Sequence, residues 1–146
     1  MTELSEAHWK RFGRSYYQRH DFEGLPIDRA MEVMSAARKS LPALEGRSFG
    51  TGKADRADDF EYHDPVSKET VPGQGLRILL KDGSRAVARL SGTDTSAATL
   101  RVYLERYETR DLFEDVSRML EPLARAACEW LDLERRCGVS KPTLIT

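Results

Sequence analysis

A stretch near the middle of the chain, residues 89–101, combines residue types suited to binding a phosphate group. Arg89 and Arg101 bracket it, and an arginine side chain can donate two parallel hydrogen bonds to an oxyanion. The residues between them are mostly small, so a ligand can approach the backbone N–H groups closely. Further donors are the hydroxyl groups of Ser91, Thr93, Thr95 and Ser96. The alternative is a Ser/Thr-rich hairpin loop flanked by two solvated arginines.

Predicted strands position this stretch. Asp82-Gly83 separates two apolar runs, 76–81 and 85–90, which is a strong hairpin signal. Residues 99–105 alternate in polarity and predict a further strand. In that strand one face carries Leu100, Val102 and Leu104, and the other carries Arg101 and Tyr103. Arg89 and Arg101 therefore lie on successive strands, which allows both to face one crevice.

Helices are predicted on either side of the strands. Helical spacing of Leu4, Trp9, Phe12, Tyr16 and Tyr17 predicts a helix over 4–20. A second helix is predicted over 27–41, ended by Pro42, and a third over about 112–136, stopped by Gly138. The third begins at the possible capping pair Asp111 and Glu114, and its apolar stripe should cover one face of the sheet.

The remaining segments read as short extended pieces and loops. Residues 59–63 alternate and predict a strand, whereas 66–74 are polar, contain Pro72 and Gly73, and predict a surface loop. The C-terminal residues 141–146 are expected to add a short extended edge.

Composition limits the classes of function. The chain has 146 residues and 32% charged residues with a formal net charge of −1, which argues against nucleic acid as the main partner. No apolar run is long enough for a membrane span, and the acidic start is not a secretory signal. Cys128 and Cys137 are expected to be reduced thiols of a cytoplasmic protein. Other candidate site residues are weaker, and a packing role is favoured for them. They are the scattered histidines His8, His20 and His63, and Tyr16, Tyr17 and Phe22, which could form an aromatic platform.

Several motifs together resemble the last domain of phosphoglucomutases, in the α-D-phosphohexomutase superfamily. The central one is Arg89-Leu-Ser-Gly-Thr93 followed by Ala98-Thr-Leu-Arg-Val-Tyr103. Others are His8-Trp9, Phe12-Gly13-Arg14, Tyr17-Gln-Arg19-His-Asp-Phe-Glu23, Asp59-Phe-Glu-Tyr-His-Asp-Pro65, Gln74-Gly-Leu-Arg77, Asp82-Gly-Ser-Arg85 and Pro142-Thr-Leu-Ile-Thr146. The resemblance therefore extends over nearly the whole chain.

The resemblance implies an α+β fold, TBP-like, with an antiparallel sheet of about four strands and helices packed on one face. Residues 1–20 would be a helical hinge segment from the preceding domain, and 21–146 the C-terminal phosphate-binding domain. The family enzyme interconverts glucose 1-phosphate and glucose 6-phosphate. This domain grips the phosphate that does not react.

Carried over by position, the resemblance assigns the phosphate grip to Arg89, Ser91, Gly92, Thr93, Thr95 and Arg101. We call these six residues the phosphate clamp. Arg19 matches a family arginine near the active-site cleft, although a surface role is an equal alternative. Asp94 departs from the glycine common in the family and places a carboxylate in the loop. Its side chain either points away from the anion or reduces phosphate affinity.

The family's catalytic motifs are missing from these 146 residues. They are a phosphorylated serine, an Asp-Gly-Asp-Gly-Asp magnesium loop and a Gly-Glu-Glu-Ser sugar motif, so no catalytic residue is assigned and the chain alone should be inactive. The resemblance implies Mg²⁺ and glucose 1,6-bisphosphate for the full-length enzyme only. Expected partners are phosphorylated hexoses and the remaining domains. The alternatives are a free-standing module for phosphorylated sugars and a structural fragment without a ligand.

Overall fold

The computed structural model describes residues 13–50, 52–63, 70–91, 97–109, 113–139 and 141–146. Within these ranges the strands are β1 (Arg14–Pro26), β2 (Ser48–Phe49), β3 (Gly52–His63), β4 (Thr70–Leu80), β5 (Arg85–Ser91), β6 (Ala97–Glu108) and β7 (Leu144–Ile145). The helices are α1 (Ile27–Leu44), α2 (Val116–Leu131) and α3 (Leu133–Cys137).

The strands form one antiparallel sheet with the order β2-β3-β4-β5-β6-β1-β7. The α+β class and the antiparallel pairing are confirmed, but the expectation of about four strands is wrong, because the described residues contain seven. The extra strands are the long β1 and the two-residue edges β2 and β7. The expected C-terminal edge is therefore present, paired with β1 through His20–Ile145 and Asp21–Leu144.

The helices cover one face of this sheet, and the core lies between the two layers. Apolar side chains of alternate strand positions are fully buried there, among them Leu76, Ile78, Leu100, Leu104 and Phe22. Helix α1 contributes Ala30, Val33, Met34, Ala37 and Leu41, which follow the 3.6-residue period. The opposite face of the sheet, which we call the open face, carries Arg85, Val87 and Arg89 from β5 and Thr99, Arg101 and Tyr103 from β6.

The predicted hairpin around Asp82-Gly83 is confirmed. Gly83 has a φ of +91°, and the Asp82 carboxylate accepts a 2.9 Å hydrogen bond from the Ser84 N–H. The turn therefore fixes the register of β4 against β5 by local chemistry that only short polar side chains and glycine supply.

The helix predicted over 4–20 is wrong for its last part. Residues 1–12 lie outside the described ranges, and Arg14–Pro26 form β1, paired along its length with β6. The division of the chain at residue 20 stays a prediction, because it concerns how a longer protein is divided. The loop predicted over 66–74 is also wrong from residue 70 onward, where β4 begins.

Helix ends differ from the sequence prediction at specific residues. Pro42 does not end α1, which continues to Leu44. The predicted helix over 112–136 is divided at Asp132, which adopts the left-handed conformation with φ 55°. Its observed N-cap is Asp115, whose carboxylate accepts a 3.0 Å hydrogen bond from the Arg118 N–H. Gly138 ends α3 with a φ of +69°, as predicted.

Candidate functional site

Arg89 and Arg101 lie on successive strands, as the sequence predicted, and are directly opposite each other on β5 and β6. Both side chains point to the open face and are partly exposed. Opposite residues on antiparallel strands have Cβ atoms about 4.5–5.5 Å apart, and like charges in this arrangement destabilise a sheet. Two guanidinium groups held side by side therefore favour an anion between or beside them.

Ser91 is the last described residue before the predicted phosphate loop. It pairs with Thr99, and its hydroxyl donates a 3.3 Å hydrogen bond to the Thr99 carbonyl oxygen. The β5–β6 hairpin thus brings both ends of the loop together beside the two arginines. Three clamp residues, Gly92, Thr93 and Thr95, lie outside the described residues, as does Asp94.

Arg19 lies on the same open face, two residues before Asp21 on β1. Asp21 is the register partner of Arg101, so Arg89, Arg101 and Asp21 form a row across three strands. The Arg19 Nε atom is 3.1 Å from the Asp21 Oδ1 atom, and the Arg101 Nε atom is 4.0 Å from the same oxygen. The structure therefore places Arg19 and Arg101 beside one carboxylate, with Arg89 on the next strand beyond Arg101.

Asp21 is the residue of this site that the sequence prediction missed. Its side chain is only 4% exposed although it lies on the open face. A polar–charged alternation of Arg19 and Asp21 against His20 and Phe22 was available as a signal. The aromatic spacing upstream favours a helix instead, and the polar side chains of Gln18 and His20 at core positions weaken the strand pattern.

The weaker candidates separate onto different faces of β1. Tyr16 and Phe22 are buried in the core, whereas Tyr17 is exposed on the open face, so the three aromatic residues form no platform. His20 also lies on the helix-covered face, where its Nε2 atom is 2.8 Å from the Gln18 amide oxygen. Burial lowers the pKa of His20, although the nearby Asp21 carboxylate opposes this shift. His20 is therefore a packing residue; His8 lies outside the described ranges.

A second ion pair lies on the open face, nearer the other edge of the sheet. Arg77 donates two hydrogen bonds to Asp58, at 3.0 Å from Nε and 2.9 Å from Nη2. These bonds lower the pKa of Asp58, and they raise that of Arg77. Both charges are satisfied by each other, so this pair is not a competing anion site.

The described residues of the site carry more positive than negative charge. The guanidinium groups of Arg19, Arg89 and Arg101 suit charge neutralisation and orientation of an oxyanion. Across the described ranges, no group of three or more His, Cys, Asp or Glu residues could hold a metal ion. Both cysteines are free, and burial raises the pKa of each thiol. None of the helices in the described ranges is long and apolar enough to span a membrane.

A family model described as the C-terminal domain of phosphoglucomutase-1 matches residues 14–143. The match covers β1 to β6, all three helices and the C-terminal segment as far as residue 143.

Individual relatives agree. The phosphoglucomutase of Rhizobium radiobacter is 44% identical over 149 residues, and a pea (Pisum sativum) phosphoglucomutase described as cytoplasmic is 38% identical over 160 residues. Each match covers 100% of this chain and 27% of the relative. The crystal structure of the Paramecium phosphoglucomutase pp63/parafusin in an open form superimposes with a TM-score of 0.86 and 32% identity, over 99% of this chain and 24% of that one. The chain thus spans about a quarter of the length of these proteins.

Proposed function

The chain belongs to the phosphoglucomutase C-terminal domain family, and on that premise we propose that it binds the non-reacting phosphate of a hexose phosphate through the phosphate clamp. The observation that carries the proposal is the cross-strand pair of Arg89 and Arg101, placed where Ser91 leads into the loop. Two adjacent guanidinium groups are unfavourable without an anion and favourable with one.

The electrostatics of the site support a doubly charged ligand. Arg19 and Arg101 share one carboxylate, that of Asp21, and Arg89 lies opposite Arg101 on the next strand, which leaves positive charge uncompensated among these four side chains. A sugar phosphate at neutral pH supplies negative charge and several acceptor oxygens. Gly92, Thr93 and Thr95 would add backbone and hydroxyl donors from the loop.

In a longer phosphoglucomutase, this domain would orient the substrate while the chemistry takes place elsewhere. Holding one phosphate fixes the position of the other end of the sugar, which lowers the entropic cost of reaction. The same clamp should accept glucose 1-phosphate and glucose 6-phosphate, because it contacts only the phosphate. Mg²⁺ and glucose 1,6-bisphosphate would act in the other domains, and we extend the cytoplasmic location of the pea relative to this chain.

A titration of the ¹⁵N-labelled chain with inorganic phosphate and glucose 6-phosphate tests the proposal, with the backbone amides of Ser91, Gly92 and Thr99 as reporters. Arg101→Ala and Arg89→Ala should each weaken binding by about tenfold or more, since hydrogen bonds to charged groups contribute about 1.5–3 kcal/mol. Added salt should weaken binding in the unaltered chain, because the site is partly exposed.

Arg85→Ala is the matched control. Arg85 lies on the same strand and the same face as Arg89, but it is six residues before Ser91 in the sequence. Its Nε atom is 2.7 Å from the Glu105 Oε2 atom. Its loss should change phosphate affinity by no more than about twofold, because it acts only through long-range charge. Equal weakening by Arg85→Ala and Arg101→Ala, or no amide shifts near the loop, would contradict the proposal.

A further inference from the structure

We propose that Asp21 is a positioning residue of the phosphate clamp, holding the guanidinium groups of Arg19 and Arg101 in place for an anion. This inference rests on the proposed function and deepens it. It concerns a carboxylate that, on charge alone, should oppose phosphate binding.

The geometry around Asp21 is that of a shared counter-ion. One carboxylate oxygen, Oδ1, lies 3.1 Å from Arg19 Nε and 4.0 Å from Arg101 Nε. The Asp21 side chain is 4% exposed, whereas those of Arg19 and Arg101 are 29% and 41% exposed. The carboxylate is therefore enclosed, while parts of both arginine side chains remain open to solvent.

The two arginines approach the Asp21 carboxylate without forming hydrogen bonds through their Nε atoms. Among the described residues, Asp21 Oδ1, Arg19 Nε and Arg101 Nε are buried without a hydrogen-bond partner, so the 3.1 Å approach brings the atoms together without aiming the N–H group at the oxygen. Buried charged groups left in this state cost free energy. A rotation of the Arg19 guanidinium group, already within 3.1 Å, would complete a bond, whereas Arg101 at 4.0 Å must also approach; an anion that orients the exposed amino groups would favour both changes.

The backbone of Asp21 is fixed from the edge of the sheet. Thr143 donates two hydrogen bonds to the Asp21 carbonyl oxygen, at 2.8 Å from its N–H and 2.9 Å from its hydroxyl group. Two further bonds, at 2.9 and 3.3 Å, join the backbones of Arg19 and Thr146. The C-terminal segment thus holds the backbone of β1 at Arg19 and Asp21, which fixes the position from which the Asp21 side chain extends.

Charge and positioning predict opposite effects of removing this carboxylate. If Asp21 acted only as a negative charge, Asp21→Asn would strengthen phosphate binding, since one repulsive interaction is removed. If it positions the arginines, the same change leaves the guanidinium groups of Arg19 and Arg101 without their shared counter-ion, so they move apart and binding weakens. The sign of the change therefore separates the two roles.

The experiment compares phosphate affinity of the unaltered chain with that of Asp21→Asn, by the same amide titration at physiological ionic strength. Asp21→Asn should weaken phosphate binding by about tenfold. This is the lower end of the loss in metal affinity when a residue that orients a metal ligand is removed. Glu105→Gln is the matched control, because it removes one negative charge from the same sheet face beside Arg85. It should leave affinity unchanged or slightly increased.

A second readout reports the arginines directly and needs no ligand. In the unaltered chain, the ¹⁵Nε–¹Hε resonances of Arg19 and Arg101 should differ from those of free arginine; Asp21→Asn should move both towards the free values and leave that of Arg85 in place. Asp21→Glu keeps the charge but displaces it by one methylene group, so it should bind phosphate with intermediate affinity. If Asp21→Asn does not fold, Asp21→Glu takes its place as the test of the positioning role.

The outcomes separate the two proposals. If Asp21→Asn and Asp21→Glu bind phosphate as tightly as the unaltered chain, or more tightly, the positioning role is wrong while the phosphate clamp stands. If Arg101→Ala also leaves binding unchanged, or the unaltered chain does not bind phosphate, the clamp itself is wrong and the role of Asp21 falls with it.

Discussion

The imidazole ring of His20 lies on the helix-covered face of β1 in a short polar chain. Its Nε2 atom is 2.8 Å from the Gln18 side-chain oxygen, and the Gln18 amide group donates a 2.9 Å hydrogen bond to the Ser117 hydroxyl group on α2. Since the glutamine oxygen can only accept, Nε2 carries the hydrogen. This network joins the sheet to α2 with a neutral histidine.

Acidification should therefore destabilise the fold through His20. Burial lowers the pKa of His20 below its ordinary value of 6.5 in the folded chain. The unfolded chain then binds this proton more readily, so the free energy of unfolding is highest above that value and falls as the pH drops below it. Urea unfolding followed by circular dichroism at a series of pH values from about 7.5 to about 5 measures this trend.

His20→Gln is the control for that trend, because it removes the titrating ring and keeps a hydrogen-bonding side chain. Its stability should vary less with pH in the same window, even if its overall stability is lower. Asp58 does not confuse the result: the Arg77 hydrogen bonds lower its pKa, so its contribution is lost only as the pH falls below the ordinary carboxyl value of 3.8. Identical pH profiles for both proteins would contradict the assignment.

At the scale of elements, the turn between β2 and β3 meets α2 at Gly50. Gly50 has a φ of +60°, and a Cβ atom added there would lie 3.0 Å from the Leu123 Cα atom and 3.2 Å from its Cδ1 atom. The close approach lets Phe49 pack edge-to-face against Trp130 with ring centroids 6.2 Å apart. Trp130 in turn donates a 2.9 Å hydrogen bond to Ser40 on α1. The glycine thus allows the sheet edge to contact both helices.

Gly50→Ala should destabilise the fold more than Gly46→Ala. Both glycines have positive φ, which costs a non-glycine residue about 1–2 kcal/mol, but Gly46 has no atom within 4 Å of the added Cβ position. The difference between the two variants isolates the contact with the α2 backbone, which cannot move aside as a side chain can. Thermal or urea unfolding measures it; equal losses would show that the turn relaxes away from α2.

The sequence predicted β5 and β6 well and β1 poorly, for a physical reason. In β5 and β6 the core positions are apolar, so period-two alternation is visible, and the Asp82-Gly83 turn sets the register. In β1 the core positions include Gln18 and His20, which satisfy each other and Ser117 after folding. Polar residues at buried positions conceal the alternation until their partners, distant in sequence, are known.

The same difference decides how much of the candidate site could be predicted. Arg89 and Arg101 follow from local signals, because their strands are adjacent in sequence and share one hairpin. Asp21 reaches the site only through the pairing of β1 with β6, across about eighty residues of sequence, and on its other side it pairs with Leu144 of β7. Long-range pairing of this kind leaves no mark on local composition.

For the whole molecule, we expect phosphate binding without mutase turnover. The phosphoserine, magnesium and sugar motifs that characterise the family enzyme are missing from the 146 residues. These residues cover 27% of the length of the Rhizobium radiobacter relative. A clamp that only orients one phosphate stabilises no bond-breaking transition state by itself. An assay with glucose 1-phosphate, glucose 1,6-bisphosphate and Mg²⁺, coupled to detection of glucose 6-phosphate, should give the rate of the buffer control. Turnover clearly above that rate and abolished by Arg101→Ala would show that this chain carries catalytic groups of its own.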